Sequence, residues 1–356
     1  MQIVALADPV ISLVILRDET MTETQRVMSE TPNQASTELL SDLLGSMHLS
    51  GVVLFSVVFR EPWGLVSPAA RELSKMLPFH TEHIIPFHII AEGGCWLELR
   101  DSETVWMEAG DAVLLPYGDI HVLHGREAAV NTPAQQLLPP PPWPDILRVK
   151  HGGGGGLTHI VCGFVQCDEL LFHPVLRHLP ALMHVSPGRV PDDEWLASTI
   201  RHTAQEASRA DSGRRSMLPR LTELMFVEIL RQHMQGLSTD EVGWFAAVND
   251  PVVGTALKWL HTAPLEDWSV DRLARCVGVS RTVLAVRFKH FLNMPPMHYL
   301  TRWRLQLAAQ RLKATDAPMK GIAGQAGYES EAAFSRAFKR HFGFSPADWR
   351  RRQIPA

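Results

Sequence analysis

The sequence predicts a multidomain α+β chain: a β-barrel domain first, then a helical linker or dimerisation segment, then an all-α carboxy-terminal domain with two helix-turn-helix motifs. Three observations lead there. One residue pattern occurs twice in the last ninety residues, fifty positions apart. Charge divides the chain into an acidic body and a basic end. Apolar runs of strand length, punctuated by Gly and Pro, fill much of residues 36–185.

The repeat is legible residue by residue. Ser280, Leu284, Phe288, Lys289, Asn293, Pro296 and Tyr299 align with Ser330, Phe334, Phe338, Lys339, Gly343, Pro346 and Trp349. In each copy a Ser suited to N-capping precedes apolar residues four apart, so one helical face turns inward and the intervening residues stay exposed. Asn293 and Gly343, the types that best tolerate a left-handed C′ position, end the helices. Residues 251–356 hold 17 Lys+Arg against 7 Asp+Glu, a net of +10; of the whole-chain totals of 34 and 38 this leaves 17 against 31 for residues 1–250, a net of −14. A basic module carrying Arg287, Lys289, Arg336, Lys339 and Arg340 on or beside the repeated helices is suited to a phosphate backbone. A solvated basic face on an ordinary helical bundle is the bland alternative.

The stretches Val270–Pro296 (VDRLARCVGVSRTVLAVRFKHFLNMPP) and Gly327–Arg350 (GYESEAAFSRAFKRHFGFSPADWR) closely resemble the two helix-turn-helix motifs of the AraC/XylS transcription regulators. The resemblance implies that Met297–Lys313 is a long connecting helix, with Leu300, Trp303, Leu307 and Leu312 as its apolar stripe. It also implies that both recognition helices enter successive major grooves on one face of double-stranded operator DNA, about 34 Å apart. Mapped onto this chain, the DNA-facing positions are Arg281, Thr282, Ala285, Val286 and Arg287 on the first recognition helix, and Glu331, Ala332, Ser335, Arg336, Lys339 and Arg340 on the second. Arg336 is suited to bridging O6 and N7 of guanine. Val286 stands where many relatives carry a long polar side chain, which leaves it thymine-methyl contact or simple burial. Lys289 and Lys339 follow a core Phe and suit phosphate or solvent better than bases.

Upstream, Gly110–His121 (GDAVLLPYGDIH) gives the spacing G-x5-P-x-G-x2-H: an apolar strand, a Pro/Gly turn and a His opening the return strand. It resembles the second motif of the cupin barrel, and Pro86–Leu99 (PFHIIAEGGCWLEL) resembles the first, with His88 and Glu92 at the matching separation and Pro86 where the first His usually stands. Together with Ile160–Val165 and Leu171–Val185, these segments resemble the cupin-bearing branch of the same regulators, which includes the regulator responsive to reactive chlorine species. The resemblance implies a cytoplasmic sensor domain over residues 36–185.

His88, His121 and Cys162 are candidate metal or effector residues, with His159 a fainter one. Two His and a thiolate would suit zinc; alternatively the histidines are core residues or line a small-molecule pocket. Cys162 and Cys167 could form an oxidation-sensitive pair, or be two small hydrophobes on a strand. Four Cys in 356 residues are too few for a secreted disulfide framework.

Residues 1–35 read as a disordered extension, since Asp8-Pro9 breaks their apolar run and nothing there spans a membrane. PPPP at 139–142 and GGGGG at 152–156 bracket a loop, and the glycines lack the Lys-Ser/Thr of a phosphate loop. Residues 190–236 read as a helical segment with amphipathic helices over 192–209 and 216–235, whose stripes would bury against the barrel, a second protomer or both; the resemblance implies that this segment mediates dimerisation, with 237–250 a hinge and 251–356 the DNA-binding domain. The expected function is a sequence-specific transcription regulator, not an enzyme. It acts as a homodimer sensing a small molecule, metal or oxidant, and touches RNA polymerase if it activates. The alternatives are a metal-dependent cupin oxygenase or isomerase with an accessory DNA-binding domain, which the missing His at Pro86 disfavours, and a nucleoid-like protein without sequence preference.

Overall fold

In the computed structural model the described residues are 50–76, 83–100, 104–127, 129–140, 143, 146–167, 178–187, 194–208, 217–237 and 241–351. The expected extension at 1–35 lies outside them.

Eleven strands among these residues make two sheets. β1 (Ser50–Arg60), β3 (His83–Glu92), β6 (Ala112–Leu114), β9 (Leu147–Gly152), β10 (Leu157–Cys167) and β11 (Met183–Val185) form one, in the order β11-β6-β3-β10-β1-β9. β2 (Gly64–Ser67), β4 (Gly94–Leu99), β5 (Val105–Glu108), β7 (His121–His124) and β8 (Thr132–Pro133) form the other, in the order β5-β4-β7-β2-β8. The cupin-like barrel is thus a flattened, two-sheet jelly roll. Phe55, Val57, Phe59, Ile90 and Ile160 of the first sheet meet Leu65, Cys95, Leu97, Met107 and Leu123 of the second in a shared core.

The six-stranded sheet is apolar on both faces, as a sheet covered on both sides must be. On β3, Ile85, Phe87 and Ile89 point away from the five-stranded sheet, whereas Ile90 points toward it. On β1 a register shift between Val53 and Phe55 breaks the period of two, so that these residues serve opposite faces. The outward residues are covered by the two helices read from the sequence, α3 (Glu194–Ser208) on β3 and α4 (Met217–Gly236) on β1. Two single-turn helices, α1 (Ala70–Leu73) and α2 (Ala134–Leu137), close the sandwich edges.

Two expectations change here. Between the proline and glycine runs lies strand β9, paired in parallel with β1, where a loop was expected. The glycines carry the chain around the end of β1: Gly153 N–H donates to Arg60 O at 2.8 Å, and a Cβ at Gly152 would lie 2.0 Å from that same oxygen. The expected hinge at 237–250 holds a packed helix, α5 (Trp244–Asn249), with Trp244, Phe245, Ala246, Ala247 and Val248 buried. A segment that buries two large aromatics cannot swing freely.

The carboxy-terminal domain comprises α6 (Pro251–Thr262), α7 (Val270–Val277), α8 (Arg281–Leu292), α9 (Pro296–Ala314), α10 (Met319–Gln325), α11 (Glu331–Phe342) and α12 (Pro346–Arg351). α9 serves two cores. Tyr299, Leu300 and Trp303 join the first, which runs from the outer face of the six-stranded sheet through α3, α4 and α5 to α6, α7 and α8. Leu305, Ala308, Ala309 and Leu312 join a second with α10, α11 and α12. Leu307, expected in the apolar stripe, is only half-buried. No helix among the described residues is long and apolar enough to cross a membrane.

Candidate functional site

The cupin motif brings His88 and His121 together across the sandwich. The turn after β6 is tight: Gly118 N–H donates to Leu115 O at 2.9 Å, and Gly118 adopts φ 62° with no room for a Cβ beside Ala70. That turn sets His121 at the start of β7, facing β3. His88 and Cys162 occupy opposed positions on the β3–β10 ladder.

These groups form one chain. His121 Nδ1 lies 2.9 Å from the Asp119 carbonyl, so it carries the proton and donates. His121 Nε2 is then an acceptor, and His88 Nε2–H donates to it at 2.8 Å. His88 Nδ1, left unprotonated, accepts from the Cys162 thiol at 3.0 Å. Every polar group is satisfied with both imidazoles neutral and the sulfur protonated. Burial, and then the neighbouring His121, holds His88 well below the ordinary histidine range; burial likewise lowers His121 and pushes the Cys162 thiol up to about 12.

The zinc reading requires three donors around one point. Here Cys162 and His121 engage opposite nitrogens of the His88 ring, so the three residues lie in a row and do not fit a single tetrahedral ion. Among the described residues no group of three or more metal-ligating side chains surrounds a common point. His159 is apart from this row: it lines a groove with Ile200, Arg201 and Ala204 of α3, and pairs with Ser56 Oγ at 2.8 Å. Glu92 is exposed at the end of β3. The Cys162–Cys167 pair is ruled out within one chain, because five residues of a single strand separate their Cα atoms by about 16 Å, against a disulfide limit near 7 Å. Sequence reasoning missed Cys95, which with Cys162 makes two buried thiols among the described residues, both in the core shared by the two sheets.

Beside the His88–Cys162 pair opens a cavity walled by Phe55, Val57, Phe59, Leu65, Leu138 and Phe164. Its lining is apolar apart from a few polar groups, His88 and Cys162 among them. Pro86 also lines it, where a further histidine would have added a ligand.

The second candidate surface is the pair of repeated helices. Ser280 Oγ accepts from Val283 N–H and Ser330 Oγ from Ala333 N–H, both at 3.2 Å, as the N-caps of α8 and α11. Asn293 (φ 53°) and Gly343 (φ 79°) end them in the left-handed conformation. Leu284, Phe288, Phe334 and Phe338 are fully buried. Arg281, Thr282, Ala285, Val286, Lys289, Glu331, Ala332, Arg336, Lys339 and Arg340 are exposed, and Ser335 is half-buried. Exposure of Val286 removes burial as its role. Arg287 departs from expectation: its guanidinium pairs at 2.9 Å with the buried Asp250, whose other oxygen caps α6 through Val252 N–H and Val253 N–H. It braces α8 against α6 while its side chain stays partly exposed.

A cupin family model matches residues 38–235, more than half of the chain, and a helix-turn-helix domain model matches 273–352. An AraC-like transcription regulator of Streptomyces antibioticus is 32% identical over 285 residues, 78% of this chain and 90% of that protein. The regulator AlkR of Acinetobacter baylyi is 31% identical, covering 74% and 86% respectively. The RCS-specific transcriptional activator RclR of Escherichia coli K12 is 26% identical, covering 76% and 85%. With capped, duplicated recognition helices behind a jelly-roll domain, the chain belongs to the AraC-like DNA-binding transcription regulators that carry an amino-terminal cupin domain, and is not an enzyme.

Proposed function

We propose that this is a cytoplasmic, homodimeric, sequence-specific regulator whose inter-sheet cavity takes a small, mainly apolar effector with one polar group aimed at His88 and Cys162. The cavity itself carries this reading: apolar walls and a few convergent polar atoms are the usual makeup of a small-molecule pocket. Behind that cavity, the outer face of the six-stranded sheet packs on α3 and α4, whose core continues into the first helix-turn-helix. An effector that shifts the sheet therefore acts on packed elements all the way to α8. Val57→Phe, which fills the cavity, should make regulation of the protein's own promoter independent of signal while operator affinity without effector stays at the parent level. An unchanged inducible response would sink the pocket assignment.

Dimerisation is assigned to α4. Met217, Leu221, Leu224 and Val227 lie on its outward side and join none of the cores, with Met217 53% and Leu224 49% exposed. In a two-fold antiparallel pairing centred on Leu224, Arg220, which pairs with Glu223 along its own helix, comes opposite the partner's Glu228, which pairs with Arg231, so the charges can complement each other by exchanging partners. Leu224→Arg should give monomers by analytical ultracentrifugation at micromolar concentration and weaken operator binding; a parent-like dimer would move the interface elsewhere. If the regulator activates, the remaining surface of the DNA-bound dimer is where RNA polymerase would be met.

A further inference from the structure

We infer that the two recognition helices read chemically different half-sites: α8 reads thymine methyl groups through Ala285 and Val286, whereas α11 reads guanine through Arg336. The inference rests on the sequence-specific DNA binding proposed above and adds the composition of the site.

The internal repeat makes the comparison direct. Thr282, Ala285, Val286 and Lys289 hold the same helical positions as Ala332, Ser335, Arg336 and Lys339, at spacing i, i+3, i+4, i+7, which forms one face of each helix. Each face lies away from the buried pair of its own repeat, Leu284 and Phe288 in α8 and Phe334 and Phe338 in α11. At equivalent points one helix presents an isopropyl group and the other a guanidinium. Val286 is 62% exposed and Val283, beside it, 43%, so with Ala285 they form an apolar strip on the face that must enter a groove.

The two arginines of α8 are paired within the protein, Arg287 with a buried carboxylate and Arg281 with an exposed one. Arg287 is held by buried Asp250 at 2.9 Å, and Arg281 Nη1 lies 3.2 Å from Asp271 Oδ1 on α7. Lys289, at the far end of the face, follows core Phe288 and suits phosphate, so what remains for bases is the Thr282 hydroxyl and the apolar strip. Within the major groove, the group an aliphatic side chain can distinguish is the C5-methyl of thymine, while an exposed arginine matches O6 and N7 of guanine. The operator should therefore pair a thymine-rich half with a guanine-bearing half about one helical turn away.

The full-length protein is tested by enriching bound duplexes from a random library, then replacing thymine with uracil in one half of the enriched site at a time. Uracil differs only by the missing methyl. In the α8 half it should weaken parent binding about fourfold per contacted methyl, and in the α11 half leave it unchanged. Val286→Ser should bind the thymine and uracil sites equally, and Val286→Arg should shift preference at that position to guanine. Arg336→Ala should lose about fivefold or more of its discrimination for guanine in the other half only. Enrichment of a defined site with no response to uracil in either half overturns this inference and leaves sequence-specific binding standing; enrichment of no sequence overturns both. If Val286→Ser abolishes transcription while thymine and uracil sites bind the parent alike, the strip serves a protein contact and the inference fails.

Discussion

Phe338→Ala should unfold the second helix-turn-helix and leave the rest of the chain folded. The Phe338 ring lies at the centre of its core, 5.4 Å from Phe334, 4.5 Å from Phe342 and 5.9 Å from Trp349, centroid to centroid, and is fully buried. Removing a buried Phe side chain costs about 3–5 kcal/mol. That is enough to unfold a small core whose other buried members among the described residues are Leu305, Ala308, Ala309, Leu312, Ile322, Ala323, Ala326, Phe334, Phe342 and Trp349. Because α6, α7 and α8 pack into the other core, the loss should stay local. Amide exchange should rise across α10, α11 and α12 while the cupin domain keeps its protection. Ala332→Ser, on the exposed face, is the control and should melt with the parent. Identical exchange in the two variants would mean that the helix phase is wrong.

Acidification should destabilise the chain from about pH 6.5 downward. His88, His121 and His261 all titrate below the ordinary histidine value of 6.5, chiefly through burial, with His261 pushed down to about 3. His261 accepts from the Tyr299 hydroxyl at 2.8 Å and stacks on Trp303 at 4.1 Å, inside the joint between α5, α6 and α9. Below pH 6.5 the unfolded chain binds protons that the native chain refuses, so stability falls as pH falls, by up to about 1.4 kcal/mol per pH unit for each such histidine. Asp111 behaves differently. Its bonds from His184 and Glu108 N–H hold its carboxyl below the ordinary 3.8, so its contribution is complete throughout the window above that value and is lost only at still lower pH. Urea titrations at pH 7 and pH 5 should differ by several kcal/mol, and His261→Phe should reduce the difference while His88 and His121 keep the remainder. A stability unchanged between those two values would contradict neutral burial of these rings.

What the sequence disclosed follows how far apart the interacting residues lie. Ser280, Ser330, Asn293 and Gly343 were legible because a cap is settled within four residues of itself. His121 was placed by a turn that fits inside twelve residues. Arg287 was misread because its partner lies thirty-seven positions upstream, and an exposed position on a helical wheel does not reveal an ion pair reached across a helix joint. The row formed by Cys162, His88 and His121 depends on which nitrogen each ring offers, and that is fixed only when two sheets close on each other. β9 escaped notice because its alternating half-buried and exposed residues, LRVKHG, satisfy only an edge beside β1. The supposed hinge contains Trp244, whose indole N–H donates to Tyr299 OH at 2.9 Å, fifty-five residues away.

The division of α9 between two cores has a kinetic consequence. Its 19 residues form a rod about 28 Å long, with one reading head built into the sensor and the other carried at the far end. Once the anchored head has found its half-site, the second no longer diffuses in from solution. It is presented at an effective concentration fixed by the rod, so two modest grips multiply into a long residence. If both helices read half-sites as proposed, damaging either half-site should shorten residence far more than it slows arrival.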